Sequence, residues 1–202
     1  MRIREITEDK KRYLDLLLLA DEQESMIDRY LDRGTMFVLD DGGVKAECVV
    51  TDEGDGILEI KSIATAPDFQ GRGYGRALIE FVVERYGGAV RDESRDGRCG
   101  EPLHDGQPEA FLRDEYCSER AYNEQPSKGE RSSDHACSGQ STQRFSILQV
   151  GTGDSPLTVP FYERCGFTRS HRIEDFFLDN YDHPIFEAGV QLVDMIYLRR
   201  TL

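Results

Sequence analysis

The stretch QGRGYG at residues 70–75 has the residue types and the spacing that could bind an anion. Three glycines stand there within six residues, directly before a helical pattern of apolar residues. Glycine lets backbone N–H groups turn into one concavity at the start of a helix, where the helix dipole also favours negative charge. The stretch therefore predicts an anion-binding loop, with an ordinary strand-to-helix turn as the alternative.

Two nucleotide-binding motifs are excluded by the residues that follow the glycines. The dinucleotide motif G-x-G-x-x-G, counted from Gly71, requires a glycine where this chain has Arg76. The P-loop motif requires Lys and then Ser or Thr after its last glycine, but Gly75 is followed by Arg76 and Ala77. Neither motif describes this loop.

The spacing that remains is Q/R-x-x-G-x-G/A, which Gln70, Gly73 and Gly75 satisfy. A nest of backbone N–H groups of this kind binds a diphosphate. Arg72 and Arg76 add positive charge to the loop of an otherwise acidic chain. A diphosphate is therefore the anion that this loop favours.

Composition limits the class of protein. The chain has 202 residues, which fit one domain with an insertion, and its net charge is −14. It has no basic stripe that could neutralise phosphates, which argues against nucleic-acid and anionic-membrane partners. The N-terminus MRIREITEDK has no apolar signal region, and no apolar run is long enough for a membrane span. We therefore expect a cytoplasmic protein whose five cysteines are free thiols.

Periodicity predicts a mixed α/β domain of the α+β type. The expected order is a strand, two helices, three strands, a helix, an insertion, a strand, a short helix and two strands. The clearest signals are a hairpin turn at Asp41, Gly42 and Gly43, a strand at 57–65 and a helix after the glycine loop. The remaining elements are a strand at 2–6, a first helix capped by Thr7, a strand within 145–151, a short helix starting near Ser155, and strands at 167–176 and 190–198.

Residues 91–143 differ in character from the rest of the chain. They are rich in Gly, Ser, Pro, Gln and charge, which predicts a polar and flexible insertion between the third helix and the fifth strand. Five possible zinc ligands occur in this segment, but they are too scattered for the tight pairs that a tetrahedral zinc site uses. No metal is predicted. These residues are Cys99, His104, Cys117, His135 and Cys137.

Two motifs together resemble those of the GCN5-related N-acetyltransferase (GNAT) family. IKSIATAPDFQGRGYGRALIEFVVERYG is similar to its acetyl-CoA motif, and VPFYERCGF is similar to its second signature, Tyr-x-x-x-Gly-Phe. The resemblance covers about residues 1–90 and 144–202. It implies a mixed, mostly antiparallel central sheet flanked by helices, and acetyl transfer from acetyl-CoA to a primary amine by direct attack in a ternary complex. The amine belongs to a small molecule or a protein.

The same resemblance implies which residues hold the co-substrate. The strand before the loop pairs its backbone with the pantetheine arm, and the backbone amides of the loop hold the pyrophosphate. A serine replaces the asparagine that the family often has seven residues before its tyrosine, so the contact at that position departs from the family pattern. The residues concerned are Ile63, Ala64, Thr65, Gln70, Gly71, Arg72, Gly73, Tyr74, Gly75, Arg76 and Ser155.

Two catalytic residues are implied as well. Tyr162 occupies the position of the tyrosine that protonates the thiolate, a task that suits a phenol because its pKa of about 10 keeps it protonated. The alternative for Tyr162 is aromatic packing. Glu59, eleven positions before Gln70, occupies the position of a general base, on the strand face of Ile57, Lys61 and Ile63. Ordered water is the alternative base, and a simple ion pair with Lys61 is the alternative role for Glu59.

Acceptor specificity in this family comes from the first helices and from the region between the last two strands. An aromatic and acidic pocket there would suit a cationic amine, and a hydrophobic plug at the end of the sheet is the alternative. The candidates are Tyr30, Phe177, Tyr181, His183 and Glu187. The rival function is a non-catalytic acyl-CoA-binding or interaction module whose insertion binds a partner. A homodimer is a possible assembly.

Overall fold

The protein is described by a computed structural model over residues 1–87 and 145–202. The predicted insertion at 91–143, with the five residues considered as zinc ligands, lies outside these residues. Within the described ranges, no helix is both long enough and apolar enough to cross a membrane.

The described residues form nine strands and five α-helices. Seven strands make one sheet in the order β1-β2-β3-β4-β5-β9-β6, and β7 pairs with β8 in a separate ribbon. The strands are β1 (Arg2–Ile6), β2 (Thr35–Asp40), β3 (Val44–Gly54), β4 (Ile57–Thr65), β5 (Ile147–Gly153), β6 (Thr168–Ile173), β7 (Phe186–Glu187), β8 (Val190–Gln191) and β9 (Met195–Thr201). The helices are α1 (Leu14–Leu17), α2 (Glu24–Ile27), α3 (Tyr74–Tyr86), α4 (Thr158–Arg164) and α5 (Phe176–Asn180).

Strand alternation divides the core between the two faces of the sheet. On β2, Phe37 and Leu39 point into a cluster with residues of α3 and α4, whereas Met36 and Val38 point into a cluster with residues of α1 and α2. All four side chains are fully buried. The helices are thus held against opposite faces by the period of two that a strand imposes on its side chains.

The sheet opens between β4 and β5. These two strands are the parallel pair of the sheet, and their pairing runs only from Ile57 with Ile147 to Ile60 with Val150. After Ile60, β4 continues to Thr65 and β5 to Gly153 without pairing to each other. Each strand keeps its outer partner, since β4 stays on β3 and β5 stays on β9. The result is a gap between the two strands, and on its β4 side the backbone is not paired with β5.

A β-bulge on β4 lies where the gap begins. Val50 pairs with Ile60 and Val49 with Ser62, so Lys61 is an extra residue on β4. A bulge of this kind reverses the alternation of side chains beyond it. Glu59 therefore shares its face with Ser62, on the side of α1 and α2. The prediction that Glu59 lies on the same face as Ile63 is wrong, because simple alternation does not count the bulged residue.

The fold class predicted from the sequence is confirmed, with local differences at element ends. The first helical segment starts at Lys10 as a 3-10 helix, after Asp9 in a left-handed conformation, and not after Thr7. The short helix α4 starts at Thr158, because residues 155–157 form a turn around the Ser155 hydroxyl. The last predicted strand, at 190–198, divides at 192–194 into β8 and β9. Ahead of it, Ala188 and Gly189 have positive φ and close the β7–β8 turn.

Candidate active site

The glycine loop presents an open concavity at the start of α3. Gly71 and Gly73 have φ values of +74° and +83°, a backbone conformation that other residues rarely adopt. A Cβ atom added at either glycine would meet no protein atom within 4 Å, so it would project into open space. Gln70 closes the other side of the loop by donating from Nε2 to the Thr65 carbonyl at 3.3 Å.

The helix behind the loop leaves its first N–H groups available. Gly73 precedes α3 and has no side chain that could cap it, and no side-chain cap is present. The first N–H groups of an α-helix have no partner within the helix, and they attract anions. Arg72 and Arg76 are exposed beside them, and the Arg72 guanidinium lies 5.0 Å from the centre of the Phe69 ring. The loop can therefore bind an anion with backbone and side-chain charge together.

Two contacts hold this helix start in place. The buried Tyr74 donates its hydroxyl to Oδ2 of Asp41 at 2.6 Å, which ties α3 to the β2–β3 turn. A Cβ atom on Gly75 would approach Cζ of Phe161 to 3.2 Å, so the glycine lets α4 pack closely against α3. The side chain of Tyr74 and the position of Gly75 thus serve the framework of the loop.

Tyr162 lies on α4, which packs against β5. It is 6 % exposed and packs edge-on against the rings of Phe161 and Phe167, at 5.1 and 5.7 Å between ring centres. Burial raises the pKa of Tyr162, and the neighbouring Cys48, Cys165, Glu187 and Glu47 raise it further. The phenol is therefore protonated at neutral pH, as a proton donor must be.

Ser155 caps the turn that leads into α4. Its hydroxyl accepts the N–H groups of Leu157 and Thr158 at 3.1 and 3.2 Å. Thr158 in turn donates its hydroxyl to Oε2 of Glu187 at 3.1 Å, which connects α4 to β7. The Ser155 hydroxyl therefore fixes the turn ahead of α4, and Glu187 lies near enough to Tyr162 to raise the pKa of its phenol.

Glu59 is held by partners on both of its carboxylate oxygens. Lys61 Nζ lies 2.7 Å from Oε1, and Gln149 Nε2 donates to Oε2 at 2.9 Å. Arg199 donates to Oε1 of Gln149 at 2.7 Å, so the network extends across β4, β5 and β9. The ion pair between Glu59 and Lys61 that the sequence left open as an alternative is present. Glu59 thus connects the paired half of β4 to β5 and, through Gln149, to β9.

A second buried carboxylate on the same face has a free oxygen. Glu47 on β3 is 0 % exposed, and the Ser62 hydroxyl donates to its Oε1 at 2.7 Å. Its Oε2 has no hydrogen-bond partner in the described part of the protein. Burial raises the pKa of Glu47 to about 7, although the Ser62 hydroxyl and the Ala64 N–H oppose the shift. Glu47 therefore changes its charge near neutral pH.

Three further groups extend from Glu47 towards the surface. The Tyr30 hydroxyl is buried without a hydrogen-bond partner among the described residues. Burial is the largest cause of its raised pKa, and the negative charges of Asp21 and Glu47 raise the pKa further. The half-buried Tyr181 donates to Oδ1 of Asp21 at 3.1 Å. Burial raises the pKa of the Asp21 carboxyl. Phenols and carboxylates thus lie close together between α2 and the sheet.

The residues predicted to select the acceptor divide into two groups. Tyr30, Tyr181 and Glu187 face the interior, and Phe177 stacks on Tyr181 at 5.5 Å between ring centres. His183 lies on the surface and contacts Asp182 and Glu22. Among the described residues, no group of three or more His, Cys, Asp or Glu is arranged to hold a metal ion.

Comparisons with known proteins agree with this geometry. Residues 32–101 match the model of the acetyltransferase (GNAT) domain. Over 200 residues the chain is 25 % identical to an uncharacterised N-acetyltransferase, YvbK of Bacillus subtilis (strain 168), covering 98 % of this chain and 94 % of the relative. The chain is thus similar to the GNAT acetyltransferase domain over residues 32–101 and to an N-acetyltransferase over nearly its whole length. The resemblance that the two sequence motifs indicated is confirmed.

Solved structures of GNAT proteins superpose on nearly the whole chain. A GNAT family acetyltransferase from Elizabethkingia anophelis with acetyl-CoA bound has a TM-score of 0.69 and 24 % identity, over 100 % of this chain and 97 % of that chain. An IAA acetyltransferase from Bacillus cereus ATCC 14579 has a TM-score of 0.66 and 26 % identity, over 100 % and 99 %. The GNAT fold therefore accounts for the sheet order and for the gap between β4 and β5.

Glu47 is a buried acid with a free oxygen that the sequence motifs did not identify. The signal for it is a single acid within the apolar run Ala46, Glu47, Cys48, Val49, Val50 of a predicted strand. A carboxylate is almost never fully buried without a partner, so an acid in such a run indicates either a paired or a functional group. Its neighbours Ser62 and Tyr30 are distant in sequence, and only the fold brings them to it.

We expect Glu47 to make the stability of the protein depend on pH. An acid whose pKa is raised in the folded state from about 4.5 to about 7 binds more protons when folded, so stability falls as pH rises through this interval. One pKa unit corresponds to about 1.4 kcal/mol, so the loss is about 3 kcal/mol. Glu47→Gln should abolish it. Urea unfolding of wild type and variant from pH 4.5 to 8 measures the difference.

Ser62→Ala is the matched control for this effect. The hydroxyl lowers the pKa of Glu47, so its removal should extend the fall in stability to higher pH. Parallel pH curves for wild type and Glu47→Gln would show that the pKa of Glu47 is not raised on folding.

Proposed function

We propose that the protein is an acetyl-CoA-dependent N-acetyltransferase that transfers the acetyl group to a primary amine by direct attack in a ternary complex. The observation that carries the proposal is the glycine loop at the start of α3 beside the opened edge of β4. The loop suits a diphosphate, and the adjoining strand edge suits an extended chain with amide groups. Coenzyme A contains both in this order.

The residues of the loop fit the pyrophosphate of acetyl-CoA. The positive φ of Gly71 and Gly73 directs N–H groups into the concavity, and the space that a Cβ would fill at either residue is open. The first N–H groups of α3 and the guanidinium groups of Arg72 and Arg76 add to the positive potential. These groups would hold the diphosphate and thereby place the rest of the molecule along β4.

The pantetheine arm would lie along residues 63–65. Beyond Ile60 the edge of β4 is not paired with β5, so its N–H and C=O groups can bind the amide groups of the arm as a further strand would. The thioester would then lie in the gap between β4 and β5. Approximation of thioester and amine supplies much of the rate in such a reaction.

Tyr162 would protonate the leaving thiolate. Its buried phenol stays protonated because burial raises its pKa, and its helix α4 packs against β5. Glu59 has the sequence position of the general base, but both of its oxygens are occupied by Lys61 and Gln149.

The rival function is an acyl-CoA-binding or interaction module without catalysis. Its partner-binding element would be the segment at 91–143, which lies outside the described residues. A buried and protonated Tyr162 beside the gap favours catalysis, because binding alone does not need a proton donor there. The cytoplasmic location and the possible homodimer stay predictions from the sequence.

Release of free thiol from acetyl-CoA with a panel of amines separates the two functions. The panel should contain primary alkylamines, arylalkylamines such as phenethylamine, diamines and a lysine-containing peptide. An acetyltransferase releases coenzyme A at a rate that depends on the amine and yields the acetylated amine by mass spectrometry. Stabilisation by acetyl-CoA without release for any amine favours the binding module.

We expect Gly73→Ala to weaken the binding of acetyl-CoA. At a concentration about 100 times Kd, acetyl-CoA should raise the melting temperature of the wild type by roughly 5 °C or more. Gly42→Ala is the matched control, because Gly42 also has positive φ, at +67°, and open space around it. Both variants should lose about 1–2 kcal/mol of stability, but only Gly73→Ala should lose most of the acetyl-CoA shift. Equal shifts in the two variants would contradict the pyrophosphate site.

We expect Tyr162→Phe to lower kcat by about 10²-fold or more, because general acid catalysis contributes about 10²–10⁴-fold. The ring contacts with Phe161 and Phe167 remain in the variant, so the thermal shift with acetyl-CoA should be kept. Steady-state rates with the best amine of the panel measure the effect. Turnover at the wild-type rate would assign Tyr162 to packing alone.

A further inference from the structure

Glu47 is a buried acid whose free oxygen the proposed reaction has not yet used. It lies on β3 opposite Ala64 of β4. Its carboxylate reaches β4, because the Ser62 hydroxyl contacts Oε1 at 2.7 Å. Ser62 lies beyond Ile60, the last residue of β4 that pairs with β5. The carboxylate of Glu47 is therefore placed over the half of β4 that borders the gap.

Small side chains on β4 make this position possible. Ser62 and Ala64 are the residues of β4 on the face of Glu47 in the unpaired half. Longer side chains there would separate the carboxylate from the gap. Glu59, on the same face, lies in the paired half and is bound to Lys61 and Gln149. Of these two acids, Glu47 is the one with an oxygen available.

Glu47 and Tyr162 approach the gap from opposite faces. Tyr162 belongs to the core cluster of α3 and α4, whereas Glu47 lies on the face of α1 and α2. The charge of Glu47 nevertheless contributes to the raised pKa of the Tyr162 phenol. A proton acceptor and a proton donor thus flank the place where the thioester would lie.

Polar groups lie beside Glu47 on the side of the half-buried Asp21, since the charges of Glu47 and Asp21 both raise the pKa of Tyr30. The unpartnered Tyr30 hydroxyl lies near Glu47, and Asp21 with its bound Tyr181 lies beyond it in a half-buried position. These groups are carboxylates and phenols, which attract a cation. In the described part of the chain, Glu47 has no lysine, arginine or histidine as a hydrogen-bond or ion-pair partner. An ammonium group can therefore supply the positive charge that Glu47 lacks.

We propose that Glu47 receives the acceptor amine as its ammonium ion and accepts the proton that the nitrogen must lose before it attacks the thioester. The proposal rests on the proposed acetyl transfer, and it names the acceptor as a cationic primary amine that enters past Asp21 and Tyr30. The Tyr30 hydroxyl accepts an N–H of the ammonium in this arrangement. Glu59 acts as a structural residue.

The protons of this reaction balance. The ammonium gives one proton to Glu47, and the free amine forms a bond from nitrogen to the thioester carbon. The carbon–sulfur bond then breaks, and the thiolate takes the proton of Tyr162. The new amide nitrogen releases its second proton, which restores the phenol, and the proton on Glu47 passes to solvent.

The titration of Glu47 suits this task. A carboxylate with a pKa of about 7 is ionised in enough molecules at neutral pH to bind an ammonium, and it is a stronger base than an ordinary carboxylate. The ionisable groups that face or adjoin it are the phenols of Tyr30 and Tyr162, the Cys48 thiol and, at greater distance, Asp21. The phenols and the thiol have raised pKa values, so they stay neutral in the pH range where Glu47 titrates.

The dependence of kcat/KM on pH tests the proposal. It is measured from pH 5.5 to 9 with the best amine of the panel, for wild type, Glu47→Gln, Ser62→Ala and Glu59→Gln. We expect wild-type kcat/KM to rise with pH through a midpoint near 7. Glu47→Gln should lower kcat/KM by about 100-fold or more and remove this midpoint. Ser62→Ala should move the midpoint to higher pH, and Glu59→Gln should keep it.

The rise in melting temperature with acetyl-CoA is also measured for every variant, and each outcome either supports or overturns the proposal. A shift that is kept in Glu47→Gln, together with the lost midpoint, supports the role as proton acceptor. A wild-type profile in Glu47→Gln, or a midpoint lost only in Glu59→Gln, overturns it while acetyl transfer stands. Loss of the acetyl-CoA shift in Glu47→Gln also overturns it, since the effect is then structural. A wild type inactive with every amine overturns the proposed function itself.

Discussion

The structure depends on the parting of β4 and β5 after Ile60. Two parallel strands that remain paired offer no room for a ligand between them, whereas two strands that separate expose backbone groups that need partners. Here each strand keeps its outer neighbour, so the sheet stays continuous up to the gap and the gap is stable. The proposed coenzyme site, with the glycine loop, α3 and α4, is built around this opening.

Glu59 and Glu47 lie on the same face of the sheet, but they have different surroundings on the two sides of the bulge at Lys61. Before the bulge, Glu59 lies where β4 and β5 are paired, and it binds Lys61 of its own strand and Gln149 of β5. Beyond it, Ser62 supplies a single hydroxyl to Glu47, and the gap leaves the second oxygen without a partner. Because a buried carboxylate without a cation prefers to be protonated, its pKa rises. Local sheet geometry therefore decides which acid is structural and which can exchange protons.

Much of the fold was predictable from sequence, because its signals are local. Glycine spacing, strand alternation and the hairpin turn each depend on a few adjacent residues, and two linked motifs indicated the family. The face of Glu59 was not predictable, because the bulge at Lys61 depends on pairing with β3. The contacts of Glu47 were not predictable either, because Ser62 and Tyr30 meet it only in the folded chain. Counts along a sequence cannot show these long-range contacts.

Burial favours the proposed proton donor, Tyr162, and the proposed proton acceptor, Glu47, in different ways. It raises the pKa of both Tyr162 and Glu47, because low polarity disfavours the charged form of either group. For the phenol this keeps the proton that the thiolate needs. For the carboxylate it raises the basicity from that of an ordinary acid towards neutrality, where a proton taken from an ammonium can be released again. A gap in a sheet provides both groups with this environment, since its walls are core and only its contents are polar.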